Sequence, residues 1–164
     1  MEEGLVRIAH LIWYALPAYL ANAAPVILGG GVPLDMGAKW IDGRRLLGNH
    51  KTVRGTISGI LVGLLAGLIQ DRPIAGILQG VGAMIGDLIG SFIKRRMGLS
   101  PGSWAPLIDE EMFIIFALLL SSAVEPIQQS DWVLLLLITP PLHFGANRIK
   151  ELLKLSARLR RSIS

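Results

Sequence analysis

Five apolar stretches divide the chain: about Gly4–Leu28, Thr56–Gln70, Pro73–Ile93, Met112–Val124 and Trp132–Ala146. Each lacks the period-two alternation of a half-buried strand and is long enough for a helix. Pro17 and Pro25 interrupt the first. A helix needs about 20 residues to cross a bilayer, so the shorter stretches must recruit polar flanks. The second could start near Thr52 and the fourth near Asp109, with their polar groups in the first helical turns. Asp71-Arg72-Pro73 is a short turn that makes the second and third helices antiparallel neighbours. Within those two, Gly55, Gly59, Gly63 and Gly67 recur every four residues, as do Gly76 with Gly80, and Gly82, Gly86 and Gly90. Small residues at this spacing let helix backbones approach closely in lipid. An internal hairpin uses them best; a homodimer interface is the competing use.

Composition agrees with a membrane protein. The 164 residues are 52% hydrophobic and 17% charged, and mean hydropathy is +0.55; a soluble domain carries about 25% charge. One bundle spanning 1–164 is expected, with no second domain. There is no cysteine, which removes disulfides, thiol nucleophiles and cysteine metal sites. The net charge of +4 comes from basic residues beside apolar segments, which suits anionic headgroups or phosphate ligands and not nucleic acid. The acidic start Met1-Glu2-Glu3 argues against a secretion signal despite the cleavage-like Ala21-Asn22-Ala23. Aromatics at segment ends (Trp13, Tyr14, Trp40, Trp104, Trp132) suit interface anchoring.

Lys and Arg collect in three stretches: the loop of about 29–55, the loop of about 94–111, and the tail. Arg7 and Arg72 alone fall elsewhere. The positive-inside rule then predicts an all-α, polytopic protein of the cell membrane. It has five transmembrane helices, the N-terminus outside and the C-terminus in the cytoplasm. Segment 36–47 is weakly amphipathic through Met36, Trp40 and Leu47 and is expected along the cytoplasmic surface. The tail, about 148–164, sets Ile149, Leu152, Leu153, Leu159 and Ile163 opposite basic residues, as an interfacial helix would.

Candidate chemistry lies at the cytoplasmic end. The stretch Gly48-Asn49-His50-Lys51-Thr52-Val53-Arg54-Gly55 carries two fixed cations and a hydroxyl where a helix begins. Free N–H groups, Lys51 and Arg54 converging there would hold phosphate; the plainer reading is that the cations mark a helix end. It is no Walker loop, since Asn49-His50 stand where Lys-Ser/Thr belongs. Asp87 lies inside the third segment, where an ionisable group is costly and usually functional. Ser91 and Lys94 follow at i+4 and i+7 on the same face. Asp87 either serves function or pairs with a cation from the second helix. Asp109-Glu110-Glu111 opens the fourth segment, either as helix-capping acids or with Asp109 joining Asp87 around Mg²⁺. The three histidines are scattered and make poor metal ligands.

Taken together, Gly48 to Gly55, then Gly86-Asp87-x-x-x-Ser91-x-x-Lys94-Arg95, then Pro101-Gly102 and Asp109, resemble the polytopic CTP-dependent cytidylyltransferases of phospholipid synthesis. The small size, Asn22-Ala23-Ala24-Pro25 and Lys51-Thr52-Val53-Arg54-Gly55 resemble their archaeal branch, the CDP-archaeol synthases. The likeness covers about residues 20–150. In the bacterial phosphatidate enzymes the second acid closely follows the Ser-x-x-Lys-Arg unit, whereas here Asp109 comes 14 residues after Arg95. The resemblance implies CTP and an isoprenoid glycerol ether lipid phosphate as substrates, with Mg²⁺ as cofactor. It implies Asp87, Lys51, Arg54, Lys94 and Arg95 as catalytic residues and Asp87 with Asp109 as metal ligands. Asn22, Thr52 and Ser91 would join the cations in binding substrate. A small transporter or channel with an intramembrane Asp87 is the alternative from another class.

Overall fold

The computed structural model describes residues 2–100, 105–142 and 144–145; at 106, 107, 109 and 110 it describes the backbone alone. The helices are α1 (Glu2–Leu28), α2 (Val53–Ile69), α3 (Pro73–Arg96) and α4 (Pro106–Ser121), and 129–142 forms α5. No strand occurs among the described residues; isolated bridges join Pro33 to Thr52 and Lys39 to Arg45. The tail 148–164 and Trp104 lie outside the described residues.

All five apolar stretches therefore contain helix, with shifted ends. α1 runs unbroken through Pro17 and Pro25, contrary to the interruption expected there. Its flank of small residues (Ala15, Ala18, Ala21, Ala24) is buried against the bundle, and such neighbours tolerate a proline inside a helix. α2 starts at Val53 with Thr52 as its N-cap. Segment 36–47 is a loop of turns and bends.

The glycine stripes are used within one chain. A Cβ on Gly63 would lie 2.7 Å from Gly80 Cα, and one on Gly67 2.6 Å from Gly76 Cα. α2 and α3 thus touch backbone to backbone. The other glycines of α3 face α4: a Cβ on Gly82 would meet Phe116 O at 2.3 Å, and on Gly86 Met112 O at 2.1 Å. α3 is the central helix because each of its glycine rows admits a different neighbour. Dispersion between close backbones replaces the hydrophobic drive that lipid does not supply.

Ala15, Ala18, Met84, Phe113, Ile114, Leu118 and Leu135 form the core. The outside is apolar too: Leu61, Leu65, Leu68, Ile77, Leu119, Val133 and Leu137 are exposed. An apolar surface on every helix from α2 to α5 needs lipid to cover it. α1 and α3 are long and apolar enough to cross a membrane, while α2 is shorter.

The bundle is tied at the end away from the candidate site. Arg72 Nε donates to Glu125 Oε2 at 2.7 Å, its guanidinium lies 4.5 Å from the Tyr14 ring centroid, and Tyr14 Oη donates to Glu125 O at 2.9 Å. Arg7 Nε donates to Asp131 Oδ1 at 2.9 Å. The two basic residues outside the three clusters are thus paired at that end.

Candidate active site

α1 and α3 end where α2 begins, and the loop between Leu28 and Val53 fills that end. Asp35 organises it. Its side chain is fully buried and accepts from the N–H groups of Gly37 at 3.1 Å, Leu47 at 3.0 Å and Gly48 at 3.0 Å. Arg45 adds Nε at 3.2 Å and a second bond from Nη2. The Arg45 guanidinium, with those N–H groups, holds the Asp35 carboxyl well below the usual carboxylate range. Gly48 takes φ +108°, in the left-handed region that favours glycine.

The loop is docked on the end of α3. Arg44 Nη1 donates to Arg95 O at 3.2 Å and Arg96 O at 2.8 Å, where helix carbonyls lack intrahelical partners. In return Arg96 donates to Asp42 Oδ1 and Arg45 O, both at 2.6 Å. Gly98 has φ +79°, and a Cβ there would stand 3.0 Å from the Arg44 guanidinium; glycine serves both the turn and the close approach.

This frame delivers Lys51 to α3. Leu34 N–H donates to Lys51 O at 2.7 Å and Val53 N–H to Val32 O at 3.1 Å. Lys51 Nζ then donates to both carboxylate oxygens of Asp87 at 2.6 Å. Asp87 therefore does have a cationic partner from the start of α2. Both side chains keep about a quarter of their surface exposed, 24% and 23%, so solvent and solutes reach the pair. Ser91, Lys94 and Arg95 follow on α3 and are buried; Arg95 Nη2 donates to Ser100 O at 2.9 Å.

Most of the N–H groups expected as a cradle at the start of α2 are already taken. Val53 N–H is bonded to Val32 O, Thr56 N–H to Thr52 O, and Gly55 N–H to Thr52 Oγ1 at 3.1 Å. Thr52 Oγ1 also accepts from Gly30 N–H at 3.3 Å, which makes Thr52 a buried cap with its hydroxyl hydrogen alone to offer a substrate. Lys51 turns to α3, whereas Arg54 lines a groove of about 570 Å³ with Leu28, Gly30, Gly31, Val32, Val53, Ile57, Ser58 and Leu61. Asn22 lies half-buried on α1. The side chain of Asp109 lies outside the described residues.

Asp35 was not singled out in the sequence, although Asp35-Met36-Gly37 has the Asx-turn pattern that could have revealed it. Arg44 and Arg96 gave no signal beyond charge.

Among the described residues no three His, Cys, Asp or Glu side chains gather as a metal cluster. Mg²⁺ is commonly held by one or two carboxylates plus substrate phosphates and water. A partly exposed Asp87 at the polar end of the bundle fits that donor set.

Helices wrapped in apolar surface, with a lysine–carboxylate pair and buried cations at one end, are the architecture of a membrane protein with a polar site at one end of its bundle. A family model described as CarS-like, CDP-archaeol synthase, matches residues 5–73 and 71–158, and the chain belongs to that family. It is 46% identical to the CDP-archaeol synthase of Methanococcus maripaludis, covering 88% of this chain and 92% of that one. With the CDP-archaeol synthase of Pyrococcus furiosus the identity is 45%, over 85% and 90% of the two chains. A solved structure described as an intramembrane enzyme for archaeal membrane lipids biosynthesis superposes with a TM-score of 0.75 at 38% identity, covering 85% of this chain and 94% of that one. Membership of an enzyme family sets aside the transporter alternative.

Proposed function

We propose that this chain transfers the CMP group of CTP to the phosphate of digeranylgeranylglyceryl phosphate, releasing pyrophosphate and forming the unsaturated CDP-archaeol. The observation that supports it, in a chain of this family, is the junction of Lys51 with Asp87 on the helix that ends in Lys94 and Arg95.

A lipid phosphate oxygen attacks the α-phosphorus of CTP. The new P–O bond forms as the bond to the β-phosphate oxygen breaks, and the electron pair leaves with pyrophosphate. The nucleophile is already ionised at neutral pH, so no general base is required. The difficulty is to bring two anions together, and positive charge resolves it. On this reading the triphosphate exchanges with the Asp87 carboxylate for the Lys51 ammonium group, and Lys94 and Arg95 contribute from further along the same helix. Arg54 takes the lipid phosphate at the head of its groove, whose apolar wall of Ile57 and Leu61 receives an isoprenoid chain. Asp87 and Asp109 would hold Mg²⁺, which when bound supplies further charge neutralisation at the phosphates.

This reading places five spans in the cell membrane, with the N-terminus outside and the site on the cytoplasmic side. CTP then enters from water and the lipid from the bilayer. The loop residues Met36 and Ile41, both exposed, rest against that face.

The test is purified protein in detergent with CTP, Mg²⁺ and the lipid phosphate. CDP-lipid and pyrophosphate should appear in equal amounts, and neither without lipid. CTP breakdown independent of lipid, or no product at all, would refute the assignment.

A further inference from the structure

We propose that Asp35 is a positioning residue for the nucleotide site, acting through Arg45 to orient the amide of Asn49 as a reader of the cytosine ring. The proposal rests on the CTP-dependent reading above.

A carboxylate offers about four lone-pair sites, and Asp35 uses them on three backbone N–H groups and the two nitrogens of Arg45. Little acceptor capacity is left for a ligand or metal, so its part is to hold other groups. The next link is Arg45 Nη1, which donates to Asn49 Oδ1. A guanidinium only donates, so the amide must face it with oxygen; this decides an orientation that amide geometry alone leaves open. The Asn49 NH2 group then points away from Arg45, on an exposed residue.

The same knot sets the place of Lys51. Asp35 fixes Gly48 N–H, and Leu34 N–H fixes the Lys51 carbonyl. The segment 48–51 is tied at both ends. Its loop is pinned to the end of α3, the helix that carries Asp87. A donor at Asn49 and a cation at Lys51 are thereby held in one frame. The cation suits phosphate. Aimed at ring position 3, the donor suits cytosine, whose N3 accepts, and opposes uracil, whose N3 carries a hydrogen; O2 accepts in both and does not discriminate.

The experiment compares Asp35→Asn, Arg45→Lys and Asn49→Ala with the parent protein. Asp35→Asn and Arg45→Lys should raise KM for CTP about tenfold or more and leave KM for the lipid phosphate within about twofold. All three should lower the preference for CTP over UTP by about tenfold. A loop role without positioning would cut the active fraction, lowering kcat with KM and the CTP preference unchanged, and that result overturns the proposal.

A second arm does not depend on activity. Nitroxides at His50→Cys and Met97→Cys, in this cysteine-free chain, should give a narrow distance distribution that Asp35→Asn broadens. An unbroadened distribution would also overturn the proposal. If the parent made no product from CTP, the functional reading would fall, and the nitroxide distances would still decide whether Asp35 holds the segment.

Discussion

Lys51 Nζ donates to both carboxylate oxygens of Asp87 at 2.6 Å, joining the residue before the α2 cap to the third quarter of α3. Each side chain is about one quarter exposed, 24% and 23%. The pair is part-buried but reaches solvent, so the Lys51 ammonium, on its flexible stem, can turn to water when Asp87 loses its charge. Asp87→Asn should therefore leave thermal stability in metal-free detergent nearly unchanged. CTP-dependent product should fall about a hundredfold or more, because charge arranged for the transition state is lost. Near-normal activity with normal Mg²⁺ dependence would remove Asp87 from the chemistry, and a collapse in Tm would make it a structural counter-ion.

Lys51 and Arg54 should fail differently. Removing a charge-assisted phosphate contact costs about 1.5–3 kcal/mol, roughly 10- to 100-fold in binding. Lys51→Ala should show this in KM for CTP. Arg54→Ala should show it in KM for the lipid phosphate, since Arg54 lines the apolar groove. Steady-state kinetics with each substrate varied in turn would check both; equal effects on the two constants would merge the sites.

Gly63→Leu and Gly86→Leu should both destabilise, at different interfaces. A Cβ on Gly63 meets Gly80 Cα at 2.7 Å, and one on Gly86 meets Met112 O at 2.1 Å. Backbone cannot swing aside as a side chain can, so α2–α3 and α3–α4 must separate. Overpacking of this kind costs about 1–3 kcal/mol or more. Thermal unfolding would measure it, with Gly4→Leu as control because nothing lies near Gly4.

Asp35 makes the loop acid-sensitive. Its folded pKa is depressed, so the unfolded chain binds the proton more tightly. The stability contributed by the ionised carboxylate is full above a pH of about 4, and is lost as pH falls below that toward the folded value. The Tm gap between the parent and Asp35→Asn should hold steady from pH 7 to 5 and narrow below pH 4. A gap independent of pH down to 3 would contradict the ionised, bonded carboxylate.

Single cysteines test the membrane placement. Ala123→Cys and Ile41→Cys, both at exposed positions, should react with an impermeant maleimide from opposite sides, outside and inside respectively. Labelling of both from one side would end the five-span arrangement.

Sequence alone determined the helices, because each apolar run is a local property and α-helix satisfies its backbone without partners. It favoured the internal hairpin, since Asp71-Arg72-Pro73 is a short turn and glycine rows at four-residue spacing need a close neighbour. A second copy of the chain could also have met those rows, and only the fold assigned them to α2 against α3. Asp87 was legible because charge is rare in such a run. Tertiary structure decided what depends on residues far apart in sequence. The continuity of α1 through Pro17 and Pro25 follows from its packing. The direction of Lys51 follows from Leu34 and Val32, which pair with the backbone of 51–53, and the filling of most of the N–H cradle follows from that same pairing together with the Thr52 cap. Asp35-Met36-Gly37 marked a turn, but the role of Asp35 became visible only when Arg45, Leu47 and Gly48 folded back onto it. A carboxylate's role is set by the donors around it, and loop closure, not local pattern, brings those donors together.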